Sequence, residues 1–178
     1  MAEHYDVIVV GGGPGGYTAA LYCVRAGLST LVLERMTPGG QMATTNWIEN
    51  YPGFEPGIDG YELSEKMKAG AERFGAKTIF GEVERLDLAA APKRIQTTSG
   101  EFLSDNVILA MGANPRPLGL AAEERLRGRG VSYCATCDGM FYRGKTVVVA
   151  GGGNSAAEDA LTLSKLCQKV YILHRPDT

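Results

Sequence analysis

The chain has 178 residues, 44% hydrophobic and 21% charged, which excludes disordered, collagen-like and coiled-coil chains and suits about one domain and the start of another. Eighteen Lys and Arg against twenty Asp and Glu leave a net charge of -2, so no global field favours nucleic acid or an anionic membrane as partner. Glycine is the one excess, 24 residues or nearly twice the usual share, which marks backbone packed closely against something.

The amino terminus, Met1-Ala2-Glu3-His4-Tyr5-Asp6, is acidic where a secretory leader is basic, and the apolar run after it is too short for a leader's core. No apolar stretch reaches the roughly 20 residues of a membrane span. A cytoplasmic protein with no membrane contact is therefore expected. Val7-Ile8-Val9-Val10 reads as a strand, 11–16 as a glycine turn, 17–26 as a helix closed by Gly27, and Leu31-Val32-Leu33 as a second strand, which together make a βαβ unit. A Gly/Thr/Asn-rich loop covers 38–60. Leu63, Met67, Ala71 and Phe74 then recur at helical spacing until Gly75. Strand-like pieces follow near 78–80, 94–98 and 102–103, and Asn106-Val107-Ile108-Leu109-Ala110 returns to the sheet. Pro115 and Pro117 stiffen a linker, which places a domain boundary there, with 1–114 before it and 115–178 after it. Residues 146–150, 151–156, a helix to about 166 and 170–173 repeat the first unit with an offset of 140 (11 to 151). A solenoid would repeat every 20 to about 50 residues. The pattern predicts an α/β chain: two Rossmann-like, three-layer dinucleotide-binding domains in series, the second incomplete.

Gly11-x-Gly13-x-x-Gly16 follows a strand and opens a helix with Pro14 inside it, the context a dinucleotide fingerprint requires. Its glycines would serve the tight turn, the approach of a pyrophosphate and helix–strand packing, while free N–H groups and the helix dipole meet the phosphate charge. Glu34, at the end of the second strand, is placed to accept from ribose hydroxyls. Gly151-x-Gly153-x-x-Ala156 repeats the logic, but His174 and Arg175 stand where the first copy has Glu34 and Arg35. A guanidinium binds a 2′-phosphate that a carboxylate would repel, so the second copy reads as an NADP site and the first as an FAD or NAD site. Solvent-exposed basic residues at a strand end are the alternative. Cys134-Ala135-Thr136-Cys137-Asp138 is the expected reaction centre, since two thiols three positions apart can close a small disulfide ring. Zinc would need two more ligands, and Cys23, Cys167, His4 and His174 are scattered singles. Asp138 is either a proton donor and acceptor for a thiolate or a plain cap. Cys23 and Cys167 lie in predicted helices and read as small core residues.

These motifs, with Gly39-Gly40-Gln41 and Glu49-Asn50-Tyr51-Pro52-Gly53, make the chain resemble the bacterial low-molecular-weight thioredoxin reductases over essentially its whole length. The resemblance implies a homodimeric FAD enzyme that passes electrons from NADPH through flavin to the disulfide and on to thioredoxin. It implies that Gly11, Gly13, Pro14 and Gly16 hold the FAD pyrophosphate, Glu34 the adenosine ribose with Arg35 beside it, and that Gly40, Gln41 and Asn50 lie along the FAD. The backbone near Val83 would meet the adenine, and Ala110 to Gly112 would pass the flavin end. Cys137 would be the flavin-proximal sulfur, Cys134 the thiol that attacks the partner, and Asp138 the acid/base. Gly151, Gly153, Asn154, Ser155, His174 and Arg175 would bind NADPH, and the 115–117 linker would act as a hinge between domains. The family's further arginine after His-Arg is absent, because Pro176 follows Arg175. The family's later segments are also absent, so the chain is expected to be a piece of a member of roughly 300 residues, truncated at its carboxyl end. The competing readings are a nucleotide-binding module without turnover and a flavoprotein dithiol oxidase. An NADH-driven peroxiredoxin reductase would carry an extra domain before Tyr5.

Overall fold

The structure is a computed structural model and describes residues 2–175. The chain divides into two compact units, 1–113 and 114–178.

The first unit is an α/β layer structure built on a six-stranded sheet of order β3-β2-β1-β6-β5-β4. Its strands are β1 (Glu3–Val10), β2 (Thr30–Glu34), β3 (Lys77–Phe80), β4 (Val83–Asp87), β5 (Lys93–Thr97) and β6 (Gly100–Leu109). β1 pairs in parallel with β2 and β6, and β2 with β3; β4, β5 and β6 form an antiparallel meander at the other edge. Parallel strands are buried on both faces, which explains the unbroken apolar runs of β1 and β2. Ile8, Val10, Leu31 and Leu33 pack with Ile95 and Phe102 on one face. Val7, Val9 and Val32 pack on the other with Tyr17, Ala20 and Ala71.

Two helices supply that second face. α1 (Pro14–Arg25) starts on a proline, whose fixed φ suits the first turn and whose missing N–H costs nothing there. It ends at Gly27, whose φ of +83° lets the chain turn back while Leu28 N–H reaches the Cys23 carbonyl at 3.1 Å. α2 (Gly60–Arg73) is capped by Asp59, whose carboxylate accepts the Glu62 N–H at 3.0 Å, and Glu62 pairs with Lys66 one turn on at 3.2 Å. A short 3-10 turn, Gly40–Thr44, lies between β2 and α2.

The second unit contains the short helices α3 (Glu123–Leu126) and α4 (Ala135–Asp138), then β7 (Thr146–Ala150), α5 (Asn154–Ser164) and β8 (Lys169–Leu173). β7 and β8 pair in parallel, Thr146 to Lys169 through Ala150 to Leu173.

Three differences from the sequence pattern have local causes. The pieces at 102–103 and 106–110 are one strand, β6, because the polar break between them is absorbed: Ser104 is buried and its hydroxyl donates to the Asn106 carbonyl at 2.7 Å. β1 begins at Glu3 because Glu3, His4 and Tyr5 all pair with β6. β4, with only Val83 and Leu86 turned inward, carries too few apolar residues to stand out.

Ile8 lies on the central strand and is fully buried. Ile8→Ala is expected to remove about 2–5 kcal/mol of stability. A urea titration followed by circular dichroism checks this, read as a drop in midpoint at unchanged slope.

Candidate functional site

In the first unit the turn after β1 brings backbone against backbone. Gly11 has a φ of +105°, and a Cβ there would sit 2.4 Å from the Ala110 carbonyl oxygen; one at Gly16 would sit 1.8 Å from the Gly11 carbonyl oxygen. Both glycines are demanded by the fold alone. Gly13 differs: it has an ordinary φ of -79°, and a Cβ there would meet only the Gly39 carbonyl oxygen, at 3.9 Å. It stands immediately before α1, whose first turn has no acidic residue and no side-chain cap. The open space above Gly13 and the uncapped N–H groups beside it suit a phosphate.

Glu34 is fixed by the same turn. Its Oε2 accepts the Gly12 N–H at 2.7 Å, and its Oε1 accepts those of Arg35 at 2.8 Å and Met36 at 3.3 Å. A carboxylate offers about four acceptor positions, so Oε2 keeps one for a ligand hydroxyl. The Gly39 N–H donates to the Gly12 carbonyl at 2.7 Å, and a Cβ at Gly40 would be 3.9 Å from Gly13 Cα, so Gly40 and Gln41 border the turn. The Gly81 N–H donates to the Glu34 carbonyl at 2.8 Å, which brings the chain leading to Val83 to the Glu34 end. Ala110 donates its N–H to the Val10 carbonyl at 2.8 Å and lines the turn from the β6 side; Gly112, with a φ of +68°, follows in open space. Asn50 sits apart, in the 49–55 segment that borders a concavity of about 520 Å³. Among the described residues no hydrogen bond joins that segment to the glycine turn. The donor set, the uncapped helix and the free acceptor fit a dinucleotide.

The second unit repeats two backbone bonds of the turn. Gly151 N–H donates to the Leu173 carbonyl at 2.9 Å as Gly11 does to Leu33 at 2.8 Å, and Ala157 bonds Gly153 at 3.2 Å as Tyr17 bonds Gly13 at 3.0 Å. A Cβ at Gly151 would lie 3.1 Å from the Ala156 Cβ, so the wider turn here accepts alanine in the third position. His174 occupies the place of Glu34: its Cβ lies 3.1 Å from where a Cβ on Gly152 would stand. Its Nδ1 lies 2.8 Å from the carbonyl oxygen of Arg175. α5 starts with Asn154 and Ser155 and has no acid in its first turn.

The same unit holds a disulfide between Cys134 and Cys137, with Cα atoms 5.3 Å apart. Cys134 is half-buried and Cys137 exposed. The Cys137 N–H points at Cys134 Sγ from 3.2 Å, a bond that favours charge on that sulfur. Ser132 Oγ lies 2.6 Å from Asp138 Oδ2, and the Ala135 N–H reaches the Asp159 carboxylate at 3.3 Å. Cys23 and Cys167 are free and half-buried, and no metal-binding cluster occurs among the described residues.

Two residues escaped the sequence pattern. Ser132 is one. The other is Glu123, whose buried carboxylate accepts the N–H groups of Leu118 at 2.8 Å, Gly119 at 2.8 Å and Leu120 at 3.2 Å, and the Tyr133 hydroxyl. The Tyr133 hydroxyl, followed by these backbone bonds, holds its carboxyl down to about 2. Glu123 is the first residue of α3, and its side chain reaches back to N–H groups that lie ahead of the helix, which no capping motif in the sequence marks.

The profile of the family described as pyridine nucleotide-disulphide oxidoreductase matches residues 5–178. The chain belongs to that family. It is 50% identical over 173 residues to a thioredoxin reductase of Bacillus subtilis, covering 97% of this chain and 54% of that protein. It is also 45% identical over 176 residues to a protein of Pseudomonas fluorescens named glucosaminate ammonia-lyase, covering 99% of this chain and 55% of the other. The crystal structure of thioredoxin reductase from Streptococcus pyogenes MGAS5005 superposes with a TM-score of 0.88 at 43% identity, covering all of this chain and 58% of that one. The chain thus spans a little over half the length of these relatives. Names differ at similar identity, so what this oxidoreductase-family chain does has to be read from its own turns and disulfide.

The two first-turn glycines separate fold from ligand. Gly16→Ala is expected to force β1 and α1 apart and lower the urea midpoint. Gly13→Ala is expected to leave stability within about 0.5 kcal/mol while weakening retention of a dinucleotide. Glu123 supplies a pH test. Its carboxyl is held below the ordinary 4.5, so its contribution is complete above about 4.5 and is lost as pH falls towards about 2. The difference in urea midpoint between wild type and Glu123→Gln is expected to shrink across that window.

Proposed function

We propose that the chain carries the flavin-binding part and the redox centre of an NADPH-dependent thioredoxin-disulfide reductase. One observation carries this reading: a disulfide of Cys134 and Cys137 stands in the same chain as two dinucleotide turns that differ in the residue at the second strand end, Glu34 in one and His174 in the other. In this reading each turn belongs to a Rossmann-like domain, 1–114 and 115–178, the second represented by its first βαβ unit.

Gly11, Gly13, Pro14 and Gly16 hold the FAD pyrophosphate, Glu34 the ribose with Arg35 beside it, and Gly40, Gln41, Asn50, Val83, Ala110 and Gly112 border the rest. Gly151, Gly153, Asn154 and Ser155 hold NADPH, with His174 and Arg175 at its 2′-phosphate. When bound, these cofactors supply the hydride and electron transfer that reduces the disulfide. The protein's own chemistry begins with the dithiol. The Cys134 thiolate, favoured by the Cys137 N–H, attacks one sulfur of the thioredoxin disulfide and forms a mixed disulfide. The other thioredoxin sulfur leaves with the electron pair and takes from Asp138 the proton that Cys134 gave up. Cys137 then attacks Cys134 Sγ and closes the ring, and the second thioredoxin sulfur leaves with the electron pair of the mixed disulfide and takes the proton that Cys137 loses. Two electrons and two protons have passed to thioredoxin.

The supports for thioredoxin as substrate are the Cys-Ala-Thr-Cys-Asp motif and the relatives that bear the reductase name. A homodimer in the cytoplasm follows from the same resemblance. Among the described residues no helix is long and apolar enough to cross a membrane.

The test uses the chain after chemical reduction. It is expected to reduce the disulfide of oxidised thioredoxin stoichiometrically, and Cys134→Ser is expected to lower the rate to background. A reduced chain with intact thiols that leaves thioredoxin oxidised would overturn the reading in favour of a nucleotide-binding module.

A further inference from the structure

Ser132 lies two residues before the first redox cysteine, is half-buried, and takes part in three polar contacts at that turn. Its Oγ is 2.6 Å from Asp138 Oδ2, 3.1 Å from the Cys134 N and 3.4 Å from the Cys134 carbonyl oxygen. A hydroxyl has one hydrogen and two lone pairs. The shorter and charge-assisted contact takes the hydrogen, so Ser132 donates to Asp138 and accepts from the Cys134 N–H. The direction of the hydroxyl is thereby fixed at both ends.

We infer that Ser132 is a positioning residue for proton transfer at the disulfide, holding Asp138 by Oδ2 and leaving Oδ1 to exchange the proton. This rests on the thiol–disulfide function proposed above and adds to it the group that aims the acid. Asp138 closes α4, a helix of only four residues, between exposed Cys137 and buried Gly139, and its own side chain is half-buried. Among the described residues the Ser132 hydroxyl is the hydrogen-bond partner that holds its carboxylate. Because the same oxygen binds the Cys134 N–H, one atom registers the acid against the backbone of the reacting cysteine.

The chemistry affected can be followed with a small dithiol. A dithiothreitol thiolate attacks one sulfur of the ring. The other leaves as a thiolate with the electron pair of the broken S–S bond and takes, through Asp138, the proton that the attacking reagent thiol gave to the Asp138 carboxylate. The reagent's second thiol, losing its proton to solvent or to Asp138, closes the reagent's own disulfide and frees the remaining cysteine, which is protonated in turn. The reagent is oxidised by two electrons and the protein disulfide is reduced to two thiols.

The rate of this opening, read on the 178-residue chain by trapping the freed thiols, tests the inference. General acid catalysis is worth about 10²–10⁴-fold, and a misaimed acid is expected to lose part of it, so Ser132→Ala should slow opening roughly 3–10-fold. Ser132→Thr, which keeps the hydroxyl, should stay within about 2-fold of wild type. In an Asp138→Asn background, Ser132→Ala should change the rate by less than about 2-fold, because the group it positions is gone. Equal slowing in both backgrounds would show a structural lesion and overturn the inference, as would an unaffected Ser132→Ala when Asp138→Asn is slow. If Asp138→Asn itself exchanges at the wild-type rate, the acid role assigned above fails and this inference falls with it, while the result of the thioredoxin assay stands.

Discussion

Gly16 and Gly11 touch so closely that no side chain fits between them, and the first unit is arranged around that approach. A Cβ on Gly16 would lie 1.8 Å from the Gly11 carbonyl oxygen. Only a bare backbone lets α1 start directly over the end of β1, and that position aims its uncapped N–H groups into the open space above Gly13. The apolar runs of β1 and β2 then hold the turn rigid from below, since both faces of these strands are buried. Glu34 completes the arrangement by taking the Gly12 N–H, so strand end and glycine turn are locked by one bond of 2.7 Å. The packing that stabilises the fold thereby also sets the shape of the open space above Gly13.

The second turn shows which parts of this constraint are general. Two of its backbone bonds match those of the first within about 0.2 Å, although alanine replaces the third glycine and His174 replaces the acid. The shape is therefore set by the strand–turn–helix connection, and the chemical character of the turn is set separately by the residue at the end of the following strand. A chain can keep the cradle and change what it accepts by altering one position. In the reading proposed above, the two copies in this sequence are such a pair.

Much of this was legible because it rests on period and spacing. The βαβ units, the helix ending at Gly75 and the equivalence of Glu34 with His174 all follow from apolar runs and glycines at fixed offsets. Ser104 was not legible, because its polarity reads as a strand break until its hydroxyl is seen bonded to the Asn106 carbonyl. Ser132 and Glu123 were not legible for a related reason. A serine or glutamate in a short irregular segment has no periodic signature, and its partners become visible only when the chain has folded. The resemblance groups Asn50 with the cofactor residues, and no hydrogen bond among the described residues joins its loop to the glycine turn.

The redox turn differs from the first cradle in what holds it. Around Cys134 and Cys137 only Ala135 and Gly139 are buried, and Gly139 is kept small by Leu166, whose Cδ1 would be 3.1 Å from a Cβ there. Otherwise the segment is fixed by polar bonds: Tyr133 to Glu123, Ser132 to Asp138, and the Ala135 N–H to Asp159. Hydrophobic burial would be a poor way to hold such a site, because a thiolate and a proton-exchanging carboxylate need access and solvation. Directional bonds fix the backbone and leave the sulfurs reachable. In the reading proposed above the first cradle grips a cofactor whereas the disulfide is reached by a partner, and the difference between apolar and polar anchoring suits those two tasks.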